Sequence, residues 1–284
     1  MTVLDITPVA GAPTRGRRRA GCTGQPLGLP SGIGLGTAVL WLSLLVLIPL
    51  AATVYQASEH GLAGFWHEVT RPAALSALRL TVVTSLAVTA INAAMGTLIA
   101  WVLVRDRFRG RRALEFVIDI PFALPTVVAG LVLLGVYGRN SPVGINLLGT
   151  QRAIVLALLF VTLPFVVRSV QPVLLALDRE AELAAACLGA GTWTTFRRIV
   201  LPVLLPAIAS GAALAFARAM GEYGSVLLIS GGRTSTTVSS MQIFQKIQNF
   251  DYVGAASVAT VLLAVSLVVI VLVDVLQRRA ARRG

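Results

Sequence analysis

Glu182 to Ile208 reads ELAAACLGAGTWTTFRRIVLPVLLPAI, and the rest of the chain is arranged around this stretch. Its first part is polar enough to be solvated, with Arg179, Glu180 and Glu182 beside a run of alanines, yet long apolar runs flank it on both sides. Glu182 to Leu188 predicts a short helix. Gly189 is the natural stop, because glycine takes up the left-handed conformation that ends many helices. Gly191 or Thr192 caps the next helix. Pro202 and Pro206 allow a bend at a water–lipid boundary. A loop so structured between two membrane spans reads either as a docking surface or as a plain connector, and spacing alone leaves both open.

The surrounding composition rules out whole classes of function. Of 284 residues, 56% are hydrophobic and 13% charged, with a mean hydropathy of +0.82, which excludes a soluble domain of ordinary composition. A net charge of +12 would suggest nucleic acid in a soluble protein. Here the arginines stand in clusters between apolar runs, which is the pattern of membrane topology, so lipid rather than nucleic acid is the expected surrounding. Cys22 and Cys187 have no ligand or redox spacing, and His60 and His67 share one loop without a partner cluster, so no metal site is expected. No nucleophile–base pair stands out. Gly231-Gly232-Arg233 lacks the lysine and spacing of a phosphate-binding loop. The chain is therefore expected to have no catalytic residues.

A helix needs about 20 residues to cross about 30 Å of hydrocarbon. Six runs meet that length: Ile33 to Ala57, Ala77 to Val104, Phe116 to Gly138, Gln151 to Val173, Val203 to Gly232 and Ala255 to Leu276. The expected fold class is all-α, a polytopic membrane protein with six transmembrane helices. The first run is too long and too far from the start to resemble a cleaved signal peptide. Residues 1–32, rich in Gly, Pro and Arg, read as a disordered basic tail. Residues 33–76 hold the first span and an interfacial segment, GLAGFWHEVTRPAALSAL, with Phe65 and Trp66 suited to the outer interface. Trp101 and Tyr137 fall near span ends, where an aromatic belt would put them. Residues 77–279 form the core, with the signature loop at 178–202.

Basic residues set the orientation. Arg15, Arg17, Arg18 and Arg19 in the tail, Arg105 to Arg112, Arg179, Arg197 and Arg198 in the signature loop, and Arg278 to Arg283 all fall on one face. The opposite loops hold only Arg71, Arg139, Arg233 and Lys246. The arginine-rich face is expected to be cytoplasmic, and with it both termini and the signature loop.

Two segments are candidates for a translocation path. IDIPFALPTVVAG carries Pro121 and Pro125, which free backbone groups that line a cavity or simply kink a packing helix. ARAMGEYG carries Arg218, near mid-membrane by count, with Glu222 four residues on and Tyr223 beside it. An intramembrane charge costs at least about 2.5 kcal/mol, so this pair must face protein or water. It reads as a structural ion pair, with an anion path as the alternative. Arg168 and Asp274 lie nearer the cytoplasmic ends and are expected to snorkel.

The signature loop resembles that of binding-protein-dependent ABC importer permeases, whose pattern is Glu-Ala-Ala, three residues, Gly, nine residues, Ile, one residue, Leu-Pro. Ala184, Ala185, Gly189, Ile199, Leu201 and Pro202 are in register; Leu183 stands where the family has Glu, with Glu182 next to it. The resemblance implies the type I ABC importer permease fold in a bacterial inner membrane, and a coupling helix docked on a separate ATPase. Two such ATPase subunits would use ATP and Mg, and this chain would bind no cofactor. A second homologous permease subunit and an extracytoplasmic binding protein are the other implied partners. DIPFALPTVVAGLVL, PFVVRSVQPVL, ARAMGEYGSVLLISGG and FDYVGAASVATVLL look like the sulfate permease family, and among it the T-type subunit. That implies import of sulfate, with thiosulfate as a further substrate. Molybdate permeases share the segment like Arg218 to Gly224, so a molybdate or tungstate permease is the alternative; an ion-coupled secondary anion carrier is a more distant one.

Overall fold

The computed structural model describes residues 29–281, and these are built of helices without a strand. Most of the expected tail, with its four arginines and Cys22, lies outside the described residues. The chain forms two compact units, one ending at Pro49 and the other beginning at Leu50. The described part of the first belongs to α1 (Gly32–Ala57), whose side chains up to Pro49 are almost all exposed. A π turn, Ser43–Leu47, ends two residues before Pro49. Proline has no N–H for the preceding turn and crowds the carbonyl four residues back, so the turn widens.

In the second unit, α2 (Gly61–Thr70) precedes α3 (Pro72–Arg105). Arg71 is extended at φ −53°, ψ 135°, as a residue before proline must be, and Pro72 starts α3 where its missing N–H costs nothing. The central element is α6 (Gln151–Ala176), the most buried of the spans. Thr150 caps it by accepting from the Ala153 N–H. One half of α6 presents Ile154, Ala157 and Leu158 to Val88, Ala219 and Ile229. The other half presents Val166, Val170 and Leu174 to Leu103, Ile118 and Leu204. Lipid is as apolar as these side chains, so close packing and polar bonds, not water exclusion, hold the spans together. Buried Asn92 on α3 supplies such a bond, donating to Thr162 Oγ1 at 2.9 Å and to the Leu159 carbonyl at 3.2 Å on α6.

Two of the six expected spans take a different form. The third is α4 (Arg111–Ala123) and α5 (Thr126–Tyr137), bent by 117°. Pro125 cannot donate to the preceding turn and drives Leu124 extended, at φ −85°, ψ 133°. The fifth is also interrupted. After α7 (Glu180–Cys187), α8 runs over Thr192–Met220 and stops; Gly221 to Tyr223 are not helical, and α9 (Gly224–Ile229) follows. Within α8 a second π turn, Phe196–Val200, again ends two residues before a proline, Pro202. The chain closes with α10 (Ser239–Gln248) and α11 (Tyr252–Ala281).

Hydrogen bonds sort the loops into two ends. Arg105 meets α7, and Gln277 near the end of α11 donates to the Pro206 carbonyl early in α8, so the arginine clusters among the described residues gather at one end. At the other end Gly149 N–H donates to the Ile229 carbonyl, and the Lys246 ammonium on α10 joins Glu68 of α2 at 2.8 Å and Asp251 at 2.7 Å. Burial by itself would lower the Lys246 pKa, but the bonds from Asp251 and Glu68 and their charges hold it above its ordinary value. Burial likewise pushes Asp251 up, and Lys246 with the Gly254 N–H brings it below the usual carboxylate range.

Candidate functional site

The signature loop is built from its own backbone outward. Gly189 has φ +83°. With it the Ala190 N–H reaches the Ala185 carbonyl and the Gly189 N–H reaches that of Ala186, the paired bonds of a Schellman cap. Gly191 is the N-cap of α8. Glu182 turns inward and pairs with Arg105 at the end of α3. Arg105 also lies over the Trp101 ring at 5.7 Å. Trp101 stands edge-on to Phe196 at 5.3 Å, and Phe196 stacks on Trp193 at 5.7 Å. Trp101 is thus a packing post under the loop. Its sequence position gave no sign of this, because Phe196 is distant along the chain. Ala185, Ile199 and Leu201 are half-buried, while Ala184 and Pro202 are exposed. Leu183 is 64% exposed and Leu188 is 89% exposed, so the loop shows an apolar tip to its surroundings.

The second set of candidates sits at the far end of α8, roughly 40 Å away at 1.5 Å per residue. Arg218 lies in its last turn, not mid-helix, and Glu222 lies in the break beyond it. Their side chains still meet, Nη1 to Oε2 at 2.5 Å. The Glu222 side chain is 1% exposed against 32% for Arg218. Its other oxygen accepts from the Ser225 N–H at 2.8 Å and hydroxyl at 2.9 Å, which fixes the start of α9. Ser240 on α10 donates to the Glu222 carbonyl at 2.5 Å, and Tyr223 rests against Phe244 at 5.1 Å. Both oxygens of the carboxylate are therefore bonded inside the protein, and of this pair the arginine reaches the surface.

The two breaks meet. A Cβ on Gly224 would overlap Thr126 Oγ1, and one on Gly130 would lie 2.9 Å from Ser225 Cα, so bare glycines let α5 and α9 touch at the backbone. Pro125, the exposed N-cap of α5, therefore stands beside the second break, while Pro121 is half-buried one turn earlier in α4. The structure brings Pro125, Arg218, Glu222 and Tyr223 together and leaves the signature loop apart from them. Arg168 is held by Asp119: its Nε and Nη2 bind both carboxylate oxygens. Asp274 pairs with Arg278 at 2.9 Å. Among the described residues no three His, Cys, Asp or Glu side chains converge to hold a metal ion.

Residues 92–283 match the family described as binding-protein-dependent transport system inner membrane component. The chain belongs to that family. The permease is 41% identical over 259 residues to the sulfate transport system permease protein CysT of Escherichia coli (strain K12), covering 88% of this chain and 94% of the relative. It is 40% identical over 252 residues to the same-named protein of Synechocystis sp., covering 86% and 88%. Its fold is shared with a chain in the crystal structure of a bacterial ABC transporter involved in alginate import, at a TM-score of 0.74 and 16% identity over 87% of this chain and 94% of that one. The permease thus has the all-helical fold of type I ABC importer permeases and is a multi-pass inner-membrane protein.

Proposed function

We propose that the chain is one membrane subunit of an ATP-driven importer that carries sulfate, and thiosulfate as a further substrate, into the cell. The observation that carries this reading is the 41% identity extending over 94% of a relative named as a sulfate transport permease. In this reading a second, related permease completes the pathway, an external binding protein delivers the anion, and two ATPases use ATP and Mg. The arginine-rich end and both termini are cytoplasmic. The coupling loop at 178–202 docks on an ATPase, and its exposed Leu183 and Leu188 suit an apolar groove. Residues 1–32 serve as a basic tail, 33–76 as the first span with an outer segment, and 77–279 as the permease core. Arg218, held by Glu222, lines the anion path where the two helix breaks meet, a placement that discontinuous helices favour.

Energetics support active transport. Bringing a dianion into a negative interior costs about 2.3 kcal/mol per charge per 100 mV, or roughly 4.6 in total, before dehydration. The test is uptake of radiolabelled sulfate in cells lacking their own sulfate permease. Uptake should require this chain, fall on ATP depletion and persist with an uncoupler while ATP is maintained. Loss to the uncoupler alone would point to an ion-coupled carrier. Full inhibition by a small excess of molybdate, with weak sulfate uptake, would reassign the substrate.

A further inference from the structure

Arg168 and Asp119 form a charge pair in an unexpected place. Arg168 lies eight residues before the end of α6, about 12 Å along a helix of about 39 Å at 1.5 Å per residue. With the helix centred in a hydrocarbon layer of about 30 Å, that position is inside the layer. Yet the side chains of Arg168 and Asp119 are 39% and 43% exposed. An ion facing lipid there costs at least about 2.5 kcal/mol, so the open side of this pair faces water or another chain. Arg278 with Asp274 is also exposed, but Arg278 lies in the last turn of its helix, where snorkelling suffices.

The guanidinium is held in one orientation. Asp119 takes Nε and Nη2 as a fork, with Nε to Oδ1 at 2.9 Å, and buried Gln171 accepts from Nη1 at 2.9 Å. Three of the five N–H groups of an arginine are thereby used. The other two have no partner among the described residues. One turn further along the same seam, Phe122 meets Phe165 edge-on at 5.0 Å. Two residues after Phe122 comes the Leu124 break, and Thr126 beyond it touches Gly224 beside Glu222. One bent helix pair therefore links Asp119–Arg168 to Arg218–Glu222, with the first pair nearer the arginine-rich end.

We propose that Arg168, oriented by Asp119 and Gln171, is a second station for a tetrahedral oxyanion, between Arg218 and the arginine-rich end. This rests on the functional reading above. A guanidinium fork binds a planar carboxylate and a tetrahedral oxyanion with the same two-point geometry. The anion engages the free N–H groups and competes with Asp119 for the fork. Asp119 keeps the empty site neutral and weakens the hold on the anion, as a path of successive sites requires if its cargo is to leave. The buried Glu222 cannot be displaced in this way, so the two pairs differ: one is a fixed bracket, the other exchanges its partner.

The experiment uses the whole transporter, with second permease, ATPases and binding protein, in proteoliposomes. Sulfate uptake and binding-protein-stimulated ATP hydrolysis are measured together, with the amount of assembled complex as a control. Arg168→Gln should lower sulfate uptake per ATP by about tenfold, the loss of one charge-assisted contact, with normal assembly. Asp119→Asn, which leaves the arginine uncontested, should assemble normally, slow release and so lower the maximal rate. Unchanged uptake per ATP in Arg168→Gln would overturn the station. So would full rescue of both assembly and uptake by the exchanged pair Asp119→Arg with Arg168→Asp, which would mark a structural clamp. Absence of sulfate uptake by the unmodified transporter would instead overturn the functional reading, and the station with it.

Discussion

At the scale of single residues, Gly189 and Glu182 decide how the signature loop is held. A side chain at Gly189 must adopt φ +83°, at a cost of roughly 1–2 kcal/mol, or else undo the Schellman cap. Gly189→Val is therefore expected to abolish uptake while the protein still reaches the membrane, measured by uptake alongside a membrane-fraction blot; wild-type uptake would remove the loop from the coupling route. Glu182→Ala leaves the nearly buried Arg105 without its carboxylate and should impair uptake as strongly, whereas Leu183→Glu, which restores the usual family residue at an exposed site, should change it little. Wild-type uptake in Glu182→Ala with loss in Leu183→Glu would show that identity at 183, not the bond to Arg105, matters. The stop at Gly189 was legible in the sequence because a conformational preference is local. The partner of Glu182 was not, because the contact depends on where α3 ends in space.

Among the elements, the two helix breaks and the Lys246 clasp carry the testable content. Gly224→Leu would force α9 off α5, since Thr126 and the Val127 backbone occupy the space a side chain needs. Reduced thermal stability of the detergent-solubilised protein and lost uptake are expected; a variant with wild-type stability would show that the contact is loose. Lys246→Met should cost about 1–3 kcal/mol, less than a fully buried pair because Asp251 is 36% exposed. Asp251 has a lowered folded pKa, so its contribution is complete above the ordinary value of 3.8 and is lost as pH falls through the lowered value. Lys246 has a raised one, so its contribution holds below 10.5 and is lost as pH rises beyond that. The stability gap between wild type and variant should be flat through neutral pH and close in acid; a gap that persists in acid would deny the clasp its role. Span lengths could be read from apolar runs, but the breaks could not. Glu222 marks a polar interruption between Met220 and Ile229, but that the helix halts there depends on its bonds to Ser225, which the sequence does not show. Pro121 and Pro125 announce a disturbance, yet the 117° angle is set by packing on α6 and α9.

On the scale of the whole molecule, the signature loop and the Arg218 bracket stand at opposite ends of one helix. Substitutions at the two ends should therefore fail differently. Gly189→Val is expected to lower ATP hydrolysis and uptake together in the reconstituted transporter, whereas Arg218→Ala should spare hydrolysis and lose uptake. Identical phenotypes would mean that one end merely supports the other. The two intramembrane ion pairs also differ in how they come into being. Arg218 and Glu222 are four residues apart and leave the ribosome together, so this arginine enters the bilayer with its charge already matched. Asp119 and Arg168 are separated by all of α5 and the first two-thirds of α6. Asp119 must wait, solvated, until the segment carrying Arg168 has been made, so the seam between α4 and α6 cannot close before α6 is in place.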